Sequence, residues 1–171
     1  MRKTGMGSHQ SAKMMDDTWI TPKHIIDALG LFDLDPCTPE TGMPWDTARK
    51  YYTKADDGLK QKWEGRVWLN PPYSREVDQW MRKIRDHNNG IALVFARTET
   101  ACFFSTVWNH ATSILFLDGR LYFHRADGTR AKANSGAPSV LIAYGEECSD
   151  ILEKSGIKGK FIRLKDSRNE I

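Results

Sequence analysis

The sequence predicts an α/β fold: a doubly wound, mostly parallel sheet with a hairpin near its C-terminal strands. Three observations lead there. Short apolar runs of strand length alternate along the chain with stretches whose apolar residues recur at helical spacing. Two runs end in proline, at Asp35-Pro36 and at Asn70-Pro71-Pro72, as strands do where a chain leaves a sheet. No internal repeat or low-complexity block interrupts the alternation. With 171 residues, 40% of them hydrophobic and 27% charged, the chain has room for one globular unit and not two. The expected organisation is a flexible lead over 1–18 and a single domain over 19–171.

Taken in order, Thr21-Pro22 opens a helix whose Ile25, Ile26 and Leu29 share one face, and Gly30 stops it. Leu31–Asp35 follows as a strand that Pro36 is expected to end, with Cys37–Asp46 as loop. Arg49–Thr53 reads as a short strand or a helix end, and Gly58–Trp63 as one or two helical turns. Arg66–Asn70 is a strand bounded by Gly65 and the double proline. Val77, Trp80, Met81 and Ile84 then stand at i, i+3, i+4 and i+7, the buried stripe of a helix. Gly90–Ala96 is an apolar strand, and Glu99–His110 a helix carrying Phe103, Val107 and Trp108. Ser113–Leu117 and Ser139–Tyr144 are strands joined by a hairpin-like excursion, Gly119–Pro138; a short helix and a strand at Lys160–Leu164 close the chain. In such a sheet a ligand binds at the carboxyl ends of the strands, where Asp35 and Asn70 both fall.

Composition narrows the function classes. No run reaches the roughly 18–20 apolar residues of a membrane helix, and Met1–Gln10 lacks the apolar core of a secretory signal. The expectation is a cytoplasmic protein with no membrane partner. Cys37, Cys102 and Cys148 lie far apart with no C-x-x-C pair, so they read as reduced packing residues. The five histidines show no zinc-binding spacing, and no metal is expected. A net charge of +3 is mildly basic and compatible with a polyanion, with cations gathered at Arg120–Lys132 and in the tail from Lys154 onward.

The sharpest signal is Asn70-Pro71-Pro72-Tyr73, set between a strand and a helix. An exocyclic amine on an aromatic base is a poor nucleophile because its lone pair is delocalised into the ring. The Asn70 side-chain oxygen and the Pro71 carbonyl can accept its two hydrogens and draw the nitrogen toward tetrahedral geometry. Pro71 and Pro72 freeze the backbone that holds both acceptors, and Tyr73 offers a flat face for a planar base. Attack on a sulfonium methyl then needs alignment and desolvation but no covalent intermediate. The alternative is a rigid strand-to-helix turn with no chemistry.

These residues resemble the catalytic motif of S-adenosylmethionine-dependent amino-methyltransferases. Their surroundings resemble the phage-type DNA N-6-adenine-methyltransferases: Trp19-Ile20-Thr21-Pro22, Phe32-Asp33-Leu34-Asp35-Pro36-Cys37, Tyr51-Tyr52-Thr53, Asp57-Gly58-Leu59, Trp63, Val67 through Ser74, Ala96 through Thr100, and Gly119 through Phe123. The resemblance implies a trimmed, Rossmann-like methyltransferase sheet, with S-adenosylmethionine as cofactor and double-stranded DNA as substrate. It places Trp19, Thr21 and Pro22 against the cofactor and the Asp35-Pro36-Cys37 turn at its methionine end. Asp57 becomes an acceptor for its adenine or ribose, with Asn70 beside it. No Gly-x-Gly follows the Asp35 strand, where many such enzymes carry a glycine-rich loop.

A base inside a duplex must be flipped out before Asn70 can reach it, at a cost of a few kcal/mol that phosphate contacts and wedging supply. Arg97 and Thr98, just past the Gly90–Ala96 strand, are the first candidate DNA contacts. Arg120, Arg125, Arg130, Lys132 and Asn134 on the 119–138 loop are the second, unless that loop is an ordinary solvated hairpin. So short a recognition element implies a short or weak sequence preference. The same tetrapeptide also serves cytosine N4, RNA and protein-amide methylation, and a catalytically inactive DNA-binding anti-restriction protein would keep the fold. The resemblance favours adenine N6, in a bacterial host cell and from a phage or prophage. It leaves monomer or dimer open.

Overall fold

The computed structural model describes residues 19–165. The expected lead over 1–18 and the last six residues of the tail lie outside the described residues. Seven strands form one sheet in the order β2-β1-β3-β4-β6-β5-β7: β1 (Phe32–Thr38), β2 (Ala48–Thr53), β3 (Val67–Leu69), β4 (Gly90–Phe95), β5 (Ser113–Leu117), β6 (Ser139–Tyr144) and β7 (Gly159–Arg163). Pairs β1·β2, β1·β3 and β3·β4 are parallel, and pairs β4·β6, β5·β6 and β5·β7 are antiparallel. The expectation of a mostly parallel sheet is thus corrected to one parallel half and one antiparallel half. The cause lies in the connections. The β5–β6 link returns the chain beside its own start, as only an antiparallel pair allows, whereas α2 carries it back to begin β4 parallel to β3.

Helices cover both faces, as a doubly wound sheet requires. On one face α2 (Val77–His87) and the α3 region pack Trp80, Met81, Ile84, Phe103 and Val107 against Val67, Leu69, Ala92, Val94, Val140 and Ile142. On the other, α1 (Lys23–Leu29) and α4 (Glu146–Lys154) pack Ile25, Ile26, Leu29, Cys148 and Leu152 against Trp68, Ile91, Leu93, Leu141 and Ala143. Successive strand residues alternate between the two layers, so strands buried on both faces are apolar throughout. Leu121 and Phe123 of the 119–138 excursion join the second layer.

Local expectations are corrected at three places. β1 does not end at Pro36 but runs on to Thr38, with its register to β2 shifting between Asp35 and Thr38. Proline is tolerated there because the ladder to β2 is interrupted between Asp35 and Thr38, so the register shift leaves no bond for an N–H of residue 36 to make. Gly58–Trp63 forms turns and no helix. Glu99–His110 is not one helix: α3 covers only Ala101–Phe103, capped by the Thr100 hydroxyl accepting from the Phe103 N–H, and Phe104–Trp108 continues as a π-helical turn. The 119–138 excursion is hairpin-like, as read: the bridge His124↔Arg130 is flanked by the Ala131 N–H donating to Phe123 O at 2.8 Å and the Arg125 N–H donating to Thr129 O at 2.9 Å, and the Ser135 N–H donates to Leu121 O at 2.8 Å. The alternative left open at Arg49–Thr53 is decided as strand.

Strands β1 to β4 run the same way, and β5 runs with them because two antiparallel steps separate it from β4. Their carboxyl ends therefore share one edge of the sheet with the start of β6, which pairs Ser139 with Phe95, and of β7, which pairs Gly159 with Leu117. From β1 the chain steps to β2 on one side and later to β3 on the other. The crevice between the ends of β1 and β3 is the topological switch point, where open α/β sheets bind ligands.

Candidate active site

A cleft of about 740 Å³ opens at this switch point. It is lined by the end of β1 from Asp35 to Glu40, by the turn Asp57-Gly58-Leu59, by Asn70 through Ser74 after β3, and by Trp19, Ile20 and Thr21. The prolines of the motif set its backbone. The Pro72 carbonyl accepts from the Ser74 N–H at 2.8 Å, while no donor among the described residues takes the Pro71 carbonyl.

Asn70 is oriented by its surroundings. Its Nδ2 donates to the Trp19 carbonyl at 2.9 Å, so Oδ1 is left as the amide's acceptor toward the cleft. Tyr73 stacks on Phe95 with ring centroids 4.1 Å apart and planes 6° apart, and Phe123 meets it edge-on at 6.5 Å. Phe95 covers one face of that ring, so a base can stack only on the other. The Tyr73 hydroxyl is buried without a partner, and burial pushes its pKa well above the usual phenol range.

Asp35 is the buried charge of the site. Its Oδ2 accepts from the Thr47 hydroxyl at 2.5 Å and its Oδ1 from the Cys37 N–H at 3.1 Å. Burial nevertheless raises its pKa to about 6, against the opposing pull of those two hydrogen bonds. Cys37 beside it is half-buried, its thiol pushed up by burial and then by the Asp35 charge.

Three further polar atoms bordering the cleft are buried and unpartnered: Trp19 Nε1, Thr21 Oγ1 and Trp80 Nε1. Buried donors are ordinarily satisfied, so these three are polar groups of the cleft wall for which the described residues supply no acceptor. Trp80 is the residue that sequence reasoning missed, because its helical spacing marked it as core. It is indeed only 7% exposed, stacked on Trp63, yet it borders the cleft. Gly58 makes the close approach on this wall: a Cβ there would lie 2.3 Å from the Pro36 carbonyl and 3.1 Å from the Trp80 ring.

The remaining sequence-predicted residues divide. Pro36, Cys37, Asp57, Pro71 and Pro72 line the cleft, with the Asp57 carboxylate paired to Lys60 at 2.8 Å. Pro22 does not line it. It caps α1 and lines a second groove, because Ile20 pairs with His124 and the alternation of the chain turns Thr21 inward and Pro22 away. Arg97 is exposed beyond β4, and the Thr98 carbonyl is held by the Trp108 indole at 3.0 Å; neither borders the cleft. Arg125, Lys132 and Asn134 are exposed on the excursion, where Asn134 Oδ1 accepts from the Gly136 N–H at 3.0 Å. Arg120 and Arg130 belong to the second groove. Among the described residues no His, Cys, Asp and Glu cluster is disposed to hold a metal, and no helix is long and apolar enough to cross a membrane.

Comparison with known proteins gives the relatives of this chain. The chain is 31% identical over 114 residues to a DNA N-6-adenine-methyltransferase of Escherichia phage T1, a match covering 61% of this chain and just 46% of that relative. It is 23% identical over 149 residues to a DNA N-6-adenine-methyltransferase of Haemophilus phage HP1, covering 81% of this chain and 84% of the relative. No solved structure matches it. The profile of the DNA N-6-adenine-methyltransferase (Dam) family matches residues 8–155, and the chain belongs to that family.

Proposed function

We propose that the protein transfers a methyl group from S-adenosylmethionine to the N6 amine of adenine in double-stranded DNA, after the base has left the helix. The observation that carries the reading is the Asn70 amide, anchored through Nδ2 to the Trp19 carbonyl and presenting Oδ1 at the switch-point cleft. When bound, S-adenosylmethionine supplies a methyl on positively charged sulfur, open to in-line attack by an amine.

The rest is the work of this chain. Asn70 Oδ1 and the Pro71 carbonyl accept the two amine hydrogens and localise the nitrogen lone pair, which is otherwise shared with the ring. Because the two prolines and the Trp19 contact hold both acceptors in advance, little reorganisation is needed as the bond forms. Tyr73 receives the base on the face that Phe95 leaves uncovered. Asp35, buried with no cation beside it, is disposed to hold the ammonium of the methionine moiety. The unpartnered groups of Trp19, Thr21 and Trp80 serve the rest of the cofactor, with Asp57 and Pro36 at the same wall.

The exposed Arg97 with Thr98 on the rim, and the cations of the 119–138 loop, are assigned to the duplex, and a phage-derived enzyme acting in a bacterial cytoplasm fits the relatives. The test is transfer from labelled S-adenosylmethionine to unmethylated duplex DNA, followed by nucleoside digestion and mass spectrometry. N6-methyladenine is expected. N4-methylcytosine would overturn the target, and cofactor binding without transfer to DNA would overturn the substrate.

A further inference from the structure

A second groove of about 730 Å³ opens at the same sheet edge as the catalytic cleft. It lies between α1, the loop after β5 and the turn from α4 into β7. Only the paired strip of Ile20 and His124 separates the two: Ile20 and Thr21 border the first, while Pro22 and His124 border the second.

The charge of this groove is one-sided. His24, Arg120, His124, Arg130 and Lys158 line it, and Asp118 is the acidic residue among them. None of these cations forms an ion pair among the described residues. Arg130 lies over the Tyr122 ring at 4.0 Å, and Arg120 Nη1 donates to the Gly136 carbonyl at 2.5 Å, so both guanidinium groups are held in place with donors to spare. Burial and then the neighbouring Arg130 and His24 lower the His124 pKa and keep that imidazole neutral, so the fixed charge of the groove comes from Arg120, Arg130 and Lys158. By contrast, Arg163 nearby in sequence is consumed by Glu146, Asp150 and Glu153. An uncompensated cationic groove with fixed guanidinium groups matches an anion of repeating charge.

We infer that this groove binds the phosphodiester backbone of the duplex that flanks the target adenine, with Lys158 and His24 joining Arg120 and Arg130 as phosphate contacts. The inference rests on the DNA reading above and adds a location to it. From the end of β3, where Asn70 stands, to the end of β5 is three strand spacings, about 14 Å. At 3.4 Å per base pair along the axis, the groove meets phosphates about four base pairs from the target. Lys158 comes from a turn beyond the 119–138 loop, so recognition is not confined to that loop.

The test is the affinity of the full chain for a 20-base-pair duplex across a range of salt, by fluorescence anisotropy. Lys158→Ala and Arg130→Ala are each expected to weaken binding several-fold near 0.1 M salt and to lower the log–log salt slope by about one. Lys154→Ala, the same charge loss on the exposed end of α4 outside the groove, is expected to leave both unchanged. Equal thermal midpoints establish that each variant is folded. Trimming the duplex to about two base pairs on one side of the adenine is expected to remove the difference between wild type and Lys158→Ala. If both groove variants keep the wild-type affinity and slope, the groove assignment falls and the function stands. If the wild-type chain binds single-stranded RNA in preference to duplex and does not methylate DNA, the functional reading falls and the groove assignment with it.

Discussion

At the scale of single residues, the direction of one hydrogen bond decides what the site can do. An Asn70 amide that donates to the Trp19 carbonyl cannot present its nitrogen to the incoming amine. Asn70→Ala is expected to reduce transfer by roughly 10²–10³-fold, the loss typical of one preorganised polar group, at a stability cost of only about 1 kcal/mol. Asn70→Asp is expected to lose the same activity and more stability, because a carboxylate oxygen then faces a carbonyl oxygen; steady-state rates and urea melts check both. For Asp35 the sign runs with burial. Its folded pKa of about 6 lies above the ordinary 3.8, so burial of the protonated form contributes stability below that ordinary value and loses it as pH rises through about 6. A cationic ligand needs the ionised form, so affinity for S-adenosylmethionine should climb between pH 5 and 7 in calorimetry, and Asp35→Asn should flatten the climb. Trp80→Phe keeps an aromatic ring against Trp63 but removes the second ring of the indole together with its unpartnered N–H. Methyl-donor affinity should fall about five- to tenfold, the worth of roughly 1 kcal/mol. An unchanged affinity with a raised thermal midpoint would show that the donor has no partner in the bound state.

At the scale of elements, the site depends on a short strap. Ile20 exchanges two backbone hydrogen bonds with His124, at 2.8 and 2.9 Å, one residue after the Trp19 carbonyl that holds Asn70. The Trp45 indole donates to the Thr21 carbonyl at 3.2 Å and its ring meets His124 edge-on at 5.1 Å, fixing strap and excursion together. The loop that carries candidate DNA contacts is thereby one peptide away from the catalytic amide. Ile20→Pro deletes the N–H donated to His124 and should lower kcat and raise KM for DNA together, in assays with each substrate varied. A change in only one of them would separate the two elements. The double proline after β3 and the α2 stripe were legible because proline and helical periodicity act locally. The π-helical turn at Phe104–Trp108 and the continuation of β1 through Pro36 were not, because neighbouring strands and packing decide them.

At the scale of the whole molecule, the sheet gathers distant segments along one edge. The catalytic cleft and the cationic groove stand side by side there, and α1, the β5–β6 excursion and the α4–β7 turn all reach it. With so little structure devoted to the bases themselves, specificity should be low. Sequencing that reads methylated adenines in a fully modified plasmid is expected to show a shared context of only a few base pairs; a long invariant site would point to a recognition element beyond this edge.

The sequence by itself determined the α/β class of the fold, the Asn70-Pro71-Pro72-Tyr73 segment and its place after a strand, and the family, because each is written in contiguous residues with local physical meaning. Only the tertiary structure decided that half the sheet is antiparallel, since strand direction depends on how long connections return. It also set which way the Asn70 amide points, moved Pro22 out of the catalytic cleft, and brought Trp80 to its wall. Finally it sorted the cations, consuming Arg163 in ion pairs and gathering Arg120, Arg130 and Lys158 into one groove. These outcomes turn on partners from 10 residues away in sequence, as Glu153 is from Arg163, to 104, as His124 is from Ile20, and no local pattern records them.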